Sequence, residues 1–255
     1  MENKSRGWFV VVDGLDGIGK GVIEKSLVDY EISQGRKVFN TVDYSIKHGI
    51  IPTSDDVNGY DTITTAEPTR AGIGKMIREE MVARNGREYS VQTQIESYSL
   101  DRLFQMRRLV VPCLENGINV IQSRSVASTL CYQSLKARQD GENISTVREA
   151  ILHHEGNRLQ LQNAPGLLII PTIADVDELM ERIEKRKKTD GKDDNCEFEN
   201  PQFQKALKPF YEEKWIGELF AFYGTSVKYL DAGISRESTA EQAVELYKNF
   251  LTGRK

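Results

Sequence analysis

Residues 11–27 read VVDGLDGIGKGVIEKSL, and the seven residues Gly14 to Lys20 fit the spacing G-x-x-x-x-G-K. That spacing constrains a fold because it works only between a strand and a helix. Its glycines let backbone N–H groups turn inward around phosphate oxygens. The helix N-terminus adds partial positive charge, and the lysine reaches the outer phosphates. Both flanks are present. Trp8–Val12 is a short, Val-rich apolar run of the kind that forms a parallel strand buried on both faces. Lys20–Ser33 carries Val22, Ile23, Leu27, Val28 and Ile32 at helical spacing and ends at Gly35. The same spacing without a ligand is a Gly-rich strand-to-helix turn.

One position departs from the pattern. Gly21 stands where such loops carry Ser or Thr, whose hydroxyl ligates Mg²⁺, and Val22 brings no hydroxyl either. Mg²⁺ keeps several waters and borrows substrate phosphates, so the loss of one ligand need not remove it. Asp13 at the strand end and Asp16 inside the loop are the nearby carboxylates. Asp16 is the candidate to hold a metal-bound water or to orient phosphates; its alternative role is a turn-stabilising Asx residue.

Further along, the pattern alternates. Strands are expected at Lys37–Val42, Thr62–Ala66, Ile118–Gln122, Leu167–Ile170 and Ser226–Leu230. Helices are expected at Ile73–Arg84, Gln92–Glu115, Val126–Arg138, Thr146–His153, Val176–Lys188, Pro201–Phe222 and Thr239–Phe250. Strands alternating with helices imply an α/β fold with a doubly wound parallel sheet. No repeat or second domain is visible, so residues 1–255 read as one domain. Tyr44–Asp61 reads as a polar loop or insertion. A metal site built on Asp43, His48, Asp55 and Asp56 is conceivable there, but their spacing matches no ligand pattern. His153 and His154 are adjacent and point about 100° apart on a helix. Lys185–Asn200 is highly charged without apolar periodicity: a solvated loop, or a lid that closes over a nucleotide and excludes water.

Composition narrows the class. The chain has 255 residues, 28% charged and 39% hydrophobic, with a net charge of −4. That balance argues against nucleic-acid binding, since there is no basic stripe with interleaved aromatics. No apolar run approaches a membrane span and no signal peptide is expected. The three cysteines are scattered without metal or disulfide spacing, which suits a reducing, cytoplasmic setting.

Two further stretches carry a resemblance. AEPTRAGIGKMIREEM (66–81) resembles the E-P-T…I-G-K-x-I-R-E segment of thymidylate kinases, particularly archaeal-type members. ESYSLDRLFQMRRLVVPCLENGINVIQSRSVASTLCYQ (96–133) resembles that family's F-x-x-D-R…D-R-Y-x-x-S-x-x-A-Y-Q. The order and spacing agree from Val11 to Gln133, and more loosely at ERIEKRKK and CEFEN, where the family has its lid. The resemblance implies the three-layer fold of P-loop NTPases, with a central parallel five-stranded sheet and a lid near 185–200. It implies transfer of the γ-phosphoryl group of ATP to dTMP with Mg²⁺, small-molecule nucleotides as partners, and a homodimer formed through helices such as Gln92–Glu115.

Carried over by residue, the resemblance assigns ATP to Gly14, Leu15, Asp16, Gly17, Ile18, Gly19, Lys20 and Gly21, with Arg182 and Arg186 ahead of the lid. It assigns dTMP to Asp13, Glu67, Pro68, Arg70, Tyr98, Arg102, Arg124, Ser128, Tyr132 and Gln133. Lys20, Asp16, Arg124 and Arg186 are the expected catalytic groups and Asp16 the metal ligand. These residue types suit the chemistry. Phosphoryl transfer needs positioning and positive charge, arginine forks grip phosphates, and an aromatic face suits a base. Tyr98 and Arg102 lie four residues apart and so share one helix face. Alternatively Tyr98 is a core aromatic, Arg102 a salt-bridge partner and Arg124 structural. The family's D-R-Y is here Ser123-Arg124-Ser125, a second departure on the metal side. Other readings are a kinase for another deoxynucleotide or a deoxynucleoside, and a catalytically weak or silent nucleotide-binding relative.

Overall fold

The computed structural model describes residues 5–190, 196 and 198–254, with backbone alone for 185–190. Among these residues six strands form one parallel sheet: β1 Phe9–Val12, β2 Val38–Asn40, β3 Thr62–Ala66, β4 Asn119–Ser123, β5 Leu167–Thr172 and β6 Ser226–Asp231. Their spatial order is β2-β3-β4-β1-β5-β6. The sheet therefore has six strands rather than five. β6 runs in register with all six residues of β5 and pairs a ladder edge that would otherwise be bare.

The sheet is central because its middle strands are apolar on both faces. Val10, Val11 and Val12 of β1 and Leu168, Ile169 and Ile170 of β5 are fully buried. Register then sets the site. Val12 of β1 and Ala66 of β3 both lie level with Ser123 of β4. The next residues, Asp13, Glu67 and Arg124, thus leave three neighbouring strands at the same height, on the carboxyl edge where open α/β sheets bind ligands.

Helices α1 (Lys20–Ser33) and α12 (Arg236–Thr252) pack on each other. The segment expected to be a loop contains a helix, α2 (Thr41–His48). Asn40 caps it, its Oδ1 accepting from the N–H groups of Val42 (3.0 Å) and Asp43 (3.2 Å), and Gly49 closes it at φ 68°. The β-branched Thr41-Val42 pair had extended the expected strand into this helix. Helices α3 (Gly72–Ile77) and α4 (Val91–Gln105) each run into a π-helical turn, Arg78–Val82 and Met106–Val110, and α5 (Val111–Glu115) completes the second stretch.

α6 (Val126–Asp140) and α7 (Ile144–His153) fall where expected. α8 (Glu155–Gln162) was not anticipated, and His154, with extended backbone, separates it from α7. α9 spans Asp177–Asp190, and the Pro201–Phe222 stretch is two helices, α10 (Pro201–Glu212) and α11 (Lys214–Phe222), broken at Glu213. α8 lies very close to α4: a Cβ on Gly156 would sit 1.9 Å from the Ser99 carbonyl oxygen. Glycine at 156 is thus what lets the two backbones meet.

Candidate active site

The phosphate loop forms as its spacing requires. Gly17 and Gly19 take left-handed φ values of 75° and 102°, which turn the backbone into the first turn of α1. Lys20 lies back across the loop, its Nζ donating to the carbonyls of Gly14 (3.0 Å) and Leu15 (2.6 Å) and standing 3.7 Å from Asp16 Oδ1. Burial, reinforced by the nearby Arg124, brings its ammonium down to about 8. Leu179 and Ile183 of α9 press on Gly17 from outside.

Asp13 is enclosed. Its carboxylate accepts from Gly14 N (2.9 Å), Ser125 Oγ (2.8 Å), Ser128 N (3.1 Å), Ser128 Oγ (2.6 Å) and Tyr211 Oη (2.9 Å). It therefore ties the loop to the start of α6 and does not border the acceptor cleft, contrary to the expectation that it contacts the monophosphate. Asp16 is occupied as well. Arg124 pairs with Oδ1, while Tyr132 (2.8 Å) and Gln204 (3.3 Å) donate to Oδ2. Burial pushes its carboxyl up, but Arg124 and Lys20 outweigh that and hold it at about 2.

Beside the loop opens a cleft of about 260 Å³. Of the residues expected at the monophosphate, Glu67, Pro68, Arg70, Tyr98, Arg102, Arg124, Ser128, Tyr132 and Gln133 all line it. Arg102 forms its floor at 2% exposure. Its Nε (2.9 Å) and Nη2 (2.5 Å) donate to Glu67 Oε2, Nη2 also donates to Thr129 Oγ1 (3.1 Å), and Nη1 donates to Asn157 Oδ1. Four of its five N–H groups are thus spent on protein partners, leaving one. Glu67 Oε1 accepts from Gln122 (2.9 Å) and Gln160 (2.8 Å). Burial raises the Glu67 carboxyl, and Arg102 works against that rise.

Arg124 joins the loop and the cleft. Its φ of 65° makes it the non-glycine residue with left-handed backbone among the described residues, a conformation that costs about 1 kcal/mol. Its N–H donates to Val12 O (2.9 Å) and its carbonyl accepts from Gln122 Nε2 (2.9 Å), so β1 and its own strand β4 hold it there. The turn aims its guanidinium at Asp16, Ser128 Oγ (3.2 Å) and Tyr132 Oη (3.4 Å).

Several lining residues escaped the sequence reading: Arg78, Gln94, Thr129, Lys136, Phe198 and Phe203. Arg78 donates to the carbonyls of Pro68 (2.5 and 3.0 Å) and Thr69 (3.2 Å). Burial, then Arg70 and Arg124, push its guanidinium down to about 10, so it stays charged and adds to a cluster of cations. Gln94, Tyr98 and Arg102 recur every four residues on α4, a polar stripe readable at helical spacing. Gln133 Nε2 donates to Gln94 Oε1 (3.1 Å), while Gln133 Oε1 is buried without a hydrogen-bond partner.

Arg182 sits apart from the cleft, donating to the carbonyls of Ala232 (2.8 Å) and Gly233 (3.5 Å). Arg186 and most of the 185–200 stretch lie outside the described side chains. The described end of that stretch lines the cleft. Cys196 bridges Ala83, and Phe198 packs with Phe203 and Tyr132 at centroid distances of 5.0 and 5.5 Å.

The metal-side departures also have a definite setting. Ser123 ends β4, and Glu24 stands one turn beyond Lys20 on α1. Burial raises the Glu24 carboxyl, opposed by Ser123, Lys20 and Arg124. A side chain at Gly21 would meet nothing within 4 Å of its Cβ. Among the described residues no group of three or more His, Cys, Asp or Glu side chains forms a ready metal site.

A family model described as Thymidylate kinase matches residues 56–242. A thymidylate kinase of Trichodesmium erythraeum is 25% identical over 238 residues, covering 92% of each chain. One of Leptospira interrogans is 30% identical over 217 residues, 84% of this chain and 83% of that one. A solved structure of thymidylate kinase from Candida albicans matches with a TM-score of 0.65 at 18% identity, covering 96% of this chain and 92% of that one. At that identity the likeness concerns the fold. The family match begins downstream of the phosphate loop, so the loop stands on its own geometry.

Proposed function

Because this chain belongs to the thymidylate kinase family, we propose that it transfers the γ-phosphoryl group of ATP to dTMP, yielding dTDP and ADP. The observation that carries this reading is the position of Arg124, which touches Asp16 of the phosphate loop and Ser128 and Tyr132 of the cleft. Two phosphate-bearing ligands seated in loop and cleft meet at its guanidinium. A 5′-phosphate oxygen of dTMP attacks the γ-phosphorus as the bond to the β-γ bridging oxygen breaks. Such a transfer needs alignment and cations more than covalent chemistry.

The residues divide the work. Backbone N–H groups from Gly14 to Gly21 cradle the ATP phosphates, and Lys20 moves from the loop carbonyls to the outer phosphates. Asp16 positions Lys20 and Arg124 and remains a candidate metal ligand. Arg70, Arg78 and Arg124 take the acceptor phosphate. Pro68 and Tyr98 flank the base, with the last free N–H of Arg102 and the unpartnered Gln133 Oε1 available to its polar edge; a thymine N3–H supplies the donor that this oxygen lacks. Arg182 and Arg186 serve the ATP side. Mg²⁺, when bound, would supply charge neutralisation at the ATP phosphates, with Asp16 as the candidate to hold it through a bound water.

The finer family type stays archaeal in this reading, on the strength of AEPTRAGIGKMIREEM. The chain is one domain with its lid at 185–200, and no helix among the described residues is long and apolar enough to cross a membrane. Its three cysteines are free and buried, which fits a cytoplasmic setting, and small nucleotides rather than nucleic acid are its partners. A homodimer through α4 rests on exposed Leu100 and Phe104. Met106, Leu109 and Val110, in the turn that follows α4, are buried in the chain's own core.

The test is an ADP-release assay with ATP and Mg²⁺ against dTMP, dUMP, dCMP, dGMP, dAMP and thymidine. Selective turnover with dTMP is expected. Turnover with thymidine would refute the phosphate role of the arginine cluster, and binding of ATP and dTMP without turnover would establish a silent relative.

A further inference from the structure

A glutamine amide can be turned end for end within its socket, so its partners decide whether oxygen or nitrogen faces a ligand. At the cleft that decision is passed along two glutamines. Tyr89 directly precedes Ser90, which caps α4 by accepting from Thr93 N (3.1 Å), and the Tyr89 hydroxyl is tied to Glu80 Oε2 (3.0 Å). The backbone carbonyl of Tyr89 can only accept, and it takes its hydrogen bond from Gln94 Nε2 (2.9 Å). Gln94 must therefore present Oε1 at the other end of its amide. That oxygen accepts from Gln133 Nε2 (3.1 Å), which leaves Gln133 Oε1 as the end without a hydrogen-bond partner. Both glutamines line the cleft with Tyr98 and Arg102, Gln94 at 8% exposure and Gln133 at 3%.

We propose that Gln94 is a specificity-determining positioning residue: it holds the Gln133 amide with its oxygen toward the base, and so selects pyrimidines that carry an N3–H over those whose N3 is a bare acceptor. The proposal rests on the reading of the cleft as the base site. Thymine and uracil carry N3–H beside the O4 acceptor, whereas cytosine carries a lone pair at N3 beside an amino group. The cleft offers the complement of the first pattern: an acceptor at Gln133 Oε1 and a donor in the one N–H that Arg102 has left. Cytosine against the same pair sets acceptor on acceptor and donor on donor, and leaving buried polar groups unpaired is a strong form of rejection. That rejection lasts only while the Gln133 amide cannot turn over. Turned alone, Gln133 would bring its oxygen against Gln94 Oε1. Turned together, the two glutamines would bring Gln94 Oε1 against the Tyr89 carbonyl, which has no second orientation to offer. The polarity at the base is thus anchored in the backbone at the start of α4.

The test reads binding, not turnover. Calorimetric dissociation constants for dTMP, dUMP and dCMP are measured on wild type, Gln94→Met and Gln94→Glu, with ATP binding and thermal melting alongside. Wild type should bind dTMP and dUMP well ahead of dCMP. Gln94→Met fills the space but gives Gln133 no acceptor, so the preference for dTMP over dCMP should shrink at least tenfold while the dTMP-to-dUMP ratio and ATP affinity hold. Gln94→Leu takes its place should Gln94→Met not melt cooperatively. Gln94→Glu keeps an acceptor for Gln133 Nε2 and should keep the wild-type preference. A residue that merely packs would weaken all three monophosphates alike. An unchanged preference in Gln94→Met therefore overturns the proposal, as does a Gln94→Glu that loses as much as Gln94→Met, or a wild type that does not favour dTMP over dCMP. If Gln94→Met loses the preference while wild type turns over no acceptor, Gln94 stands and the kinase reading falls. If dTMP is turned over and Gln94→Met keeps the preference, the kinase reading stands and Gln94 falls.

Discussion

Replacing Arg102 by Met isolates the buried pair beneath the cleft. The guanidinium is 2% exposed and Glu67 is 4% exposed, so neither charge has access to bulk water. Without Arg102, Glu67 keeps only the neutral donors Gln122 and Gln160 for its charge. Leaving one partner of a buried pair uncompensated costs about 3–5 kcal/mol. For a chain of this size that corresponds to a fall in melting temperature of about 6–20 °C.

The pH dependence gives a sharper check. Burial already raises the Glu67 carboxyl, and Arg102 opposes that rise, so removing Arg102 lifts it further. A carboxyl titrating higher in the folded than in the unfolded state favours folding while both are protonated and loses that contribution as pH rises through its folded pKa. Arg102→Met should therefore be penalised less at pH 5 than at pH 8. Adding Glu67→Gln, which removes the charge and nearly keeps the shape, should recover most of the stability at pH 8. Calorimetric or circular-dichroism melts of both variants at the two pH values decide the matter. A loss that is the same at both pH values, or a double variant no better than Arg102→Met, would mean that lost packing and not a stranded charge sets the cost.

Three other outcomes are expected. Lys20→Ala should cut turnover by about two to three orders of magnitude without lowering the melting temperature, and near-normal rates would place the phosphates elsewhere. In the wild type, the Lys20 ammonium near 8 is charged below that pH and neutral above it, so kcat/KM for ATP should decline above about pH 8 while kcat at saturating ATP holds to higher pH; a flat kcat/KM from pH 7 to 9.5 would contradict it. Tyr98→Ala should raise KM for dTMP at least tenfold with little change for ATP, whereas equal effects on both would make Tyr98 a packing residue.

How much of this was legible in the chain follows from how far each signal reaches. The phosphate loop is contiguous, and its spacing, flanks and glycines all appear in order. The residues expected at the acceptor are spread along the chain, yet nine of the ten line one cleft. Asp13 failed because position beside the loop says nothing of orientation: two serines and Tyr211, the last from α10, turn it inward. α8 was missed because its eight residues carry only two large apolar side chains, Leu159 and Leu161, too few to mark a helical period. Its contribution is tertiary: Asn157 and Gln160 meet Arg102 and Glu67 only because Gly156 lets α8 touch α4. Arg78 was within the quoted motif but unassigned, since its burial depends on where the Pro68–Thr69 backbone turns.

The departures at Gly21 and Ser123 show where a motif stops being informative. A motif fixes residue types at positions along the chain, while a cation responds to donors at positions in space. At the carboxyl edge of this sheet, the first turns of α1 and the end of β4 converge, so a donor can be delivered from either element without moving the place it serves. Gly21 and Ser123 read singly as two losses on the metal side. Arg124 touches both the phosphate loop, at Asp16, and the cleft, at Ser128 and Tyr132, and its left-handed backbone is what aims one guanidinium at both.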